Sequence, residues 1–289
     1  MNFICMNLRQ VRKKIKSIAN VKKITKAMQM VSAIKMKKAQ TAAIESKPYR
    51  LNLEKIINKL VISLDAKYSS LLTSATSVSQ KKLAVLITSN KGLCGVFHFN
   101  LFRHVMQNID LKNTDFITLG KKGALFINRS GSRILADFSQ TNQLDVISAV
   151  FQTVLSNFLG SEYKEALLIY NKFINTLKYE PVIKTILPVK LEAVIGQISL
   201  SKNEYLIEPS ARTIIDSLLK SFVQEEIRGA VVESLASEHS ARMIAMKSAT
   251  DNAEDVLYNL TFLRNQLRQE KITYELLDMV TAKESVESS

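Results

Sequence analysis

The sequence predicts a mixed α/β protein: a long antiparallel coiled coil of the N- and C-terminal helices, with an α/β domain inserted between them. Three observations lead there. Only 8 glycines and 4 prolines occur in 289 residues, against roughly 7% and 5% in an average chain, which favours long uninterrupted helices over turn-rich sheets. Apolar residues recur in helical steps at both ends, and strand-like and helical runs alternate in the middle. With 46% hydrophobic residues the chain can bury the core of one or two domains.

The net charge of +14 is concentrated at one end. Residues 1–44 hold eleven Lys and Arg and no Asp or Glu. Such a segment repels itself and calls for an acidic surface, a polyanion or a membrane face. Within it Val11, Ile15, Ile18, Val21, Ile24, Met28, Val31 and Ile34 follow in steps of three or four, an apolar stripe along one side of a helix. The pattern resumes at Leu53, Ile56, Ile57, Leu60 and Leu64, beyond Pro48, whose ring is expected to kink or break the helix. A helix over Asn7–Ser63 would be about 85 Å long.

Pro209 suits the first turn of a second long helix. After it Ile214, Leu218, Phe222, Ile227, Val231, Leu235, Val256, Leu260, Leu263, Leu267 and Leu276 keep near-helical spacing to about residue 280, with Gly229 the only Gly or Pro in the span. Residues 210–280 hold eleven acidic and eight basic side chains, a mildly acidic partner for the basic helix. The steps are not clean heptads, so irregular supercoiling is expected.

Between the helices, Leu83–Thr88, Asp115–Leu119 and Arg133–Phe138 read as strands, and Cys94–Ile109, Gly123–Arg129 and Gln143–Leu159 as helices. Ala166–Asn175 and Pro181–Val189 read as a strand pair turning near Lys178–Glu180. The alternation implies crossover units and a mostly parallel, Rossmann-like sheet. The expected division is a discontinuous shaft over 7–68 and 208–282, an α/β domain over 80–200, and flexible tails at 1–5 and 283–289.

A nucleotide site is not legible. No GxxxxGK[ST] loop occurs and no GxGxxG follows a strand. The glycines of GLCG at 92–95, and Gly120 with Lys121 and Lys122, fit tight turns better than phosphate cradles. Cys94 reads as a buried structural thiol, and His98, His104 and His239 lack companions at metal-ligand spacing. His239 reads as an interhelical hydrogen-bonder. No catalytic constellation, cofactor or metal is expected. Two cysteines suit a reducing compartment, and no apolar run approaches the roughly 20 residues of a membrane span. Nucleic acid would suit the basic end, yet residues 4–48 contain no aromatic side chain for base stacking. A nucleic-acid-binding coiled coil and an α/β enzyme with a helical clamp are the alternatives from other classes.

Several stretches are similar to the gamma subunit of F-type ATP synthases. MNLRQVRKKIKSIANVKKITKAMQMVSAIKMKKAQ at 6–40 resembles its N-terminal helix, SNKGLCG at 89–95 its central motif, and ITLGKKG at 117–123 also fits. EPSARTIIDSLL at 208–219 and SLASEHSARMIAMKSATDNA at 234–253 resemble its C-terminal helix. The resemblance implies a non-catalytic rotor shaft inside a ring of three alpha and three beta subunits, with the epsilon subunit and the c ring below. It implies a peripheral position on the cytoplasmic face of the inner membrane. It places Lys26 and Met28 beside an acidic loop of beta, with Arg268, Gln269, Thr273 and Glu275 on the facing C-terminal helix, and Tyr205 and Glu208 at the foot that meets the c ring. Met28 suits the coil core equally well. The chain departs from the family pattern in having Arg264–Asn265 where a Tyr–Asn pair is usual, and in its polar end TAKESVESS.

The purified chain, free of any partner, is expected to hydrolyse no ATP in a steady-state assay; robust turnover would contradict this reading.

Overall fold

The structure is a computed structural model that describes residues 7–63, 71–72, 80–189 and 210–287. Two compact units divide it: residues 1–31 with 243–289, and residues 32–242. Tyr205 and Glu208 lie outside the described residues, as does Pro209.

Helix α1 spans Leu8–Ser63 and α5 spans Ala211–Glu287, so α5 continues past the expected end near residue 280. Pro48 does not end α1, which runs on through it to Ser63, so the break allowed for at that ring does not occur. Its ring removes one N–H bond to Ile44, but both residues are exposed, so water can satisfy the freed carbonyl. The turns beyond are fixed by Leu53, Ile57 and Leu60, which are buried in the core.

The second unit contains a five-stranded sheet in the order β3-β2-β1-β4-β5. Its strands are β1 (Lys82–Ile87), β2 (Thr114–Leu119), β3 (Ile134–Asp137), β4 (Glu165–Phe173) and β5 (Tyr179–Leu187). The pairs β1–β2, β1–β4 and β2–β3 are parallel, and β4–β5 is antiparallel. Every residue of β1 after Lys82 is buried, as expected of a parallel strand covered on both faces. Pro181 sits in the edge strand β5, where a missing ladder donor is tolerated. The β4–β5 turn lies at Ile174–Lys178 rather than near Lys178–Glu180: the Asn175 side-chain oxygen accepts from the N–H groups of Leu177 and Lys178 at 2.9 and 2.8 Å, closing the turn early.

Connecting helices are α2 (Phe97–Asn108), α3 (Lys121–Ser130) and α4 (Ile147–Leu159). Strand alternation sorts them. Ala84 and Leu86 face Leu101 and Val105 of α2 and Ile127 of α3. Leu83, Val85 and Ile87 face Val150, Val154 and Phe158 of α4, and this same core takes Leu53, Ile57 and Leu60 of α1 with Ile215, Leu219, Val223 and Ile227 of α5. Burial of each such side chain is worth about 1.5–3 kcal/mol, so the sheet is the platform on which these parts of both long helices are packed.

One glycine is fixed by geometry. Gly120 has φ +102°, and a Cβ there would lie 2.3 Å from the Thr88 carbonyl oxygen. Gly120→Ala is expected to lower unfolding free energy by roughly 2–4 kcal/mol, read from urea unfolding; an unchanged midpoint would contradict the close approach.

Candidate functional site

The first unit consists of α1 up to Val31 and α5 from Met243. Here the two helices pair antiparallel: Lys22 Nζ lies 3.1 Å from Glu254 Oε1, and Thr250 Oγ1 donates to Thr25 Oγ1 at 2.8 Å. The sheltered positions include Met246, Thr250, Ala253, Leu257, Leu260, Arg264 and Leu267 on α5, and Val11, Ile15, Ile18, Lys22, Thr25 and Gln29 on α1. Both sets step strictly by four and three, which is the heptad seam of a coiled coil. The expected unclean heptads are those of the apolar residues; the seam itself keeps a four–three rhythm with many small or polar members, flanked by half-buried Ala19, Met28, Ala249, Thr261 and Leu263. In the second unit α1 keeps it through Ser32, Met36, Ala39, Ala43, Ser46, Arg50, Leu53, Ile57 and Leu60.

The apolar stripe read from the sequence therefore splits. Val11, Ile15, Ile18 and Met28 are sheltered, whereas Val21, Ile24, Val31 and Ile34 are exposed. On α5, Val256, Tyr258 and Phe262 are also exposed, the last two 75% and 68%. Beyond Leu267 every described side chain up to Lys283 is exposed, among them Ile272, Tyr274, Leu276, Leu277, Met279 and Val280.

Of the expected interface residues, Lys26 is exposed and Met28 half-buried. Arg268, Gln269, Thr273 and Glu275 all lie on the exposed stretch of α5. The Thr273 hydroxyl donates to the Gln269 carbonyl at 3.0 Å, and Glu275 pairs with Lys271 at 3.3 Å. Arg264 occupies a seam position and donates to the Asn265 side chain at 3.2 Å.

The second unit offers a different candidate, the crevice at the carboxyl end of β1 and β4, where the direction of strand order reverses and doubly wound sheets bind ligands. The chain fills it with its own groups. Arg242 of α5 donates from Nε to the Gly92 carbonyl and from Nη2 to that of Lys91, both at 3.2 Å, and Nη2 pairs with Glu238 at 2.7 Å. Ser237 donates to the Asn171 carbonyl at 3.1 Å. The first N–H groups of α3 are also consumed: Lys121 by the Asn90 side chain, Lys122 by the Ser89 carbonyl, and Gly123 by the Thr88 hydroxyl. A phosphate on that helix start would have to displace all three. Sequence reasoning missed Arg242 and Glu238, whose signal was only an acid and a base four apart on a helix.

The crevice chemistry is not nucleophilic. Ser89 Oγ donates to the Lys91 carbonyl, so the 2.8 Å contact with His98 Nε2 requires the ring nitrogen to donate. In that tautomer the bare nitrogen, Nδ1, is buried without a hydrogen-bond partner, and the nitrogen facing Ser89 carries a proton rather than accepting one. Burial, with smaller contributions from Lys122 and Arg242, pushes the His98 pKa down to about 4. Cys94 is buried beside Phe97 and Ala241, and burial raises its thiol pKa, which agrees with a structural thiol. His239 contacts Arg242 on its own helix at 3.3 Å, rather than bonding between helices, and burial with the charges of Arg242 and Lys35 lowers its pKa to about 4. Among the described residues no three His, Cys, Asp or Glu side chains converge as a metal site.

The sequence model for ATP synthase matches residues 7–286. A relative named ATP synthase gamma chain, from Variovorax paradoxus, is 37% identical over 284 residues, covering 94% of this chain and 96% of its own length. The chain belongs to the ATP synthase gamma-chain family. A second relative of that name, from Akkermansia muciniphila, is 34% identical over 292 residues, covering 97% of this chain and 99% of its own. Among solved structures, a chain of the Euglena gracilis mitochondrial ATP synthase in an OSCP/F1/c-ring assembly aligns with a TM-score of 0.67 at 18% identity, covering 97% of this chain and 95% of that one. A chain from the rotor of the same enzyme aligns at 0.62 and 17%, covering 92% and 98%. These last two establish likeness of fold. Family membership makes the chain a non-catalytic subunit, in keeping with a crevice occupied by its own side chains.

His98 and His239 bind fewer protons folded than unfolded between pH about 4 and their ordinary value of 6.5. Stability is therefore expected to fall as pH drops through that window. In urea unfolding at pH 7 and pH 5, His239→Gln should lose less stability on acidification than the parent chain; an identical loss would contradict the assignment.

Proposed function

We propose that the chain turns as the central shaft of its ATP synthase, coupling ion flow to ATP chemistry carried out on beta subunits. The observation that carries this reading is the exposed apolar surface of the paired helices, together with a stretch of α5 beyond Leu267 whose described side chains are open on every side. Tyr258, Phe262, Tyr274 and Met279 gain nothing in water and call for an enclosing partner. A ring of three alpha and three beta subunits supplies such an enclosure. The epsilon subunit and the c ring then meet the shaft's foot, where Tyr205 and Glu208 belong. On this reading residues 7–68 and 208–282 are assigned to the shaft and 80–200 to the α/β domain, and α5 carries the helix on to Glu287, past the expected start of a tail at 283.

Rotation needs contacts that exchange. Lys26 and its basic neighbours attract acidic loops of beta at long range, while each exposed ion pair is worth only about 0–1 kcal/mol. Met28, Arg268, Gln269, Thr273 and Glu275 complete this sliding surface. Because α1 and α5 differ in sequence, each orientation presents a different face to each beta subunit, and the three sites take different affinities in turn. Ion flow turning the shaft drives synthesis, and hydrolysis turns it back. No helix among the described residues is long and apolar enough to cross a membrane. Attachment comes through the complex, on the cytoplasmic face of the inner membrane.

Co-expression with alpha and beta subunits of the same genome is expected to give one copy of the chain per three alpha–beta pairs, with ATPase activity dependent on its presence. A well-folded ring that leaves the chain behind would overturn the reading. The double substitution Ile24→Asp and Val31→Asp should weaken capture by the ring at least tenfold, from the loss of two apolar contacts of about 1.5–3 kcal/mol each, with circular dichroism unchanged.

A further inference from the structure

A single carboxylate in the second unit joins three elements. Glu226 of α5 keeps only 8% of its side chain exposed. Lys184 Nζ, from β5, lies 2.6 Å from its Oε2, and Arg50 Nε, from α1, lies 3.8 Å from its Oε1. One turn along α5, Gly229 is helical, so no unusual backbone angle calls for a glycine. What it provides is room: a Cβ there would lie 2.7 Å from Arg50 Nη1. Behind the cluster Glu233 has a buried Oε2 with no hydrogen-bond partner. Burial raises the Glu233 pKa, opposed by Arg50, Lys172 and Lys184 and reinforced by Glu226. Tyr170 of β4 is pushed up by burial and by Glu233 and Glu226. A polar cleft of about 300 Å³ bounded by Arg50, Glu54, Lys184 and Glu226 runs alongside.

Building on the rotor reading, we propose that Glu226 is a positioning residue by which the edge of the sheet grips both long helices, so that torque passes between the α/β domain and the shaft without slip. Gly229 leaves room for the Arg50 guanidinium in this grip, and a Cβ there would oblige its flexible tip to shift. Apolar contacts such as Leu53 against the core resist displacement by steric interlock, but the hydrophobic effect itself has no direction. A buried carboxylate cannot move away from its cations without being stranded in a medium that solvates it poorly. The two cations approach from a strand and from the other helix, so displacement of any one of the three elements breaks a contact.

The test uses the complete synthase in sealed vesicles, measuring ATP hydrolysis and, with a membrane-potential dye, ATP-driven ion transport. Glu226→Gln keeps the shape and removes the charge. Gly229→Ala displaces Arg50 while improving the helix former at that position. Both are expected to keep hydrolysis within about twofold of the parent and to lower transport per ATP several-fold. Adding Arg50→Lys to Gly229→Ala, which withdraws the clashing fork, should restore much of the transport. Unchanged transport per ATP in both single variants would overturn the proposal. So would parallel loss of hydrolysis and transport, which marks failed assembly rather than slip. Hydrolysis that does not depend on the chain at all would overturn the rotor reading itself, and this proposal with it.

Discussion

The rest of the structure depends on the seam between α1 and α5. A coiled coil zipped by leucines would be held by area alone, and its register could shift by a heptad at modest cost. Here Thr25 and Thr250 share a buried hydrogen bond of 2.8 Å, and Lys22 and Glu254 close a pair at 3.1 Å. Each hydroxyl also reaches a carbonyl of its own helix, Thr25 that of Lys22 at 3.1 Å and Thr250 that of Met246 at 2.8 Å, so the bond between the helices favours this register by about 0.5–1.5 kcal/mol. Small residues such as Ala253 occupy seam positions. Sheltering small and polar groups releases the large apolar side chains, Tyr258 and Phe262 among them, to the outer faces. A seam built this way gives a helix pair that is fixed within and adhesive without.

The α/β unit follows a related logic. A doubly wound sheet generates a crevice at its switch point whether or not a ligand is wanted. In this chain the crevice receives from α5 Arg242, which donates to the Lys91 and Gly92 carbonyls, and Glu238, which pairs with Arg242. The pair is sheltered at 8% and 10% exposure, so removal of either member would strand the other at a cost of about 3–5 kcal/mol. The architecture of a nucleotide-binding domain is thus used to hold a helix. Catalysis elsewhere in the complex and a filled crevice here are two aspects of one division of labour.

Much of this was legible in the sequence. The scarcity of Gly and Pro gave the long helices, and the buried run of β1 with its flanking helical patterns gave the parallel sheet. The seam was not legible, because its members Lys22, Thr25, Gln29 and Ser32 carry no hydrophobic signal. The apolar rhythm of Val21, Ile24, Val31 and Ile34 belongs to an exposed face. Periodicity reports that a helix has an apolar side; it cannot tell a side meant for its own chain from one meant for another. Pro48 misled for a related reason, since the cost of a proline depends on whether the carbonyl it frees faces water, and that of Ile44 lies on an exposed turn. The grip on Arg242 was invisible because its acceptors are backbone carbonyls, which every sequence possesses alike.

The central claim is that α1 and α5 keep one register while the shaft turns. The most direct measurement is a disulfide across the seam: Thr25→Cys with Thr250→Cys, in a chain with Cys5→Ser, assembled into the complete synthase and assayed before and after oxidation. Hydroxyl oxygens 2.8 Å apart place the two side chains within reach of a disulfide. The account predicts that the bond forms and that ATP hydrolysis and ion transport are unchanged by it. Loss of both on oxidation, with recovery on reduction, would mean that the helices must move past one another as the shaft turns, and would contradict the account.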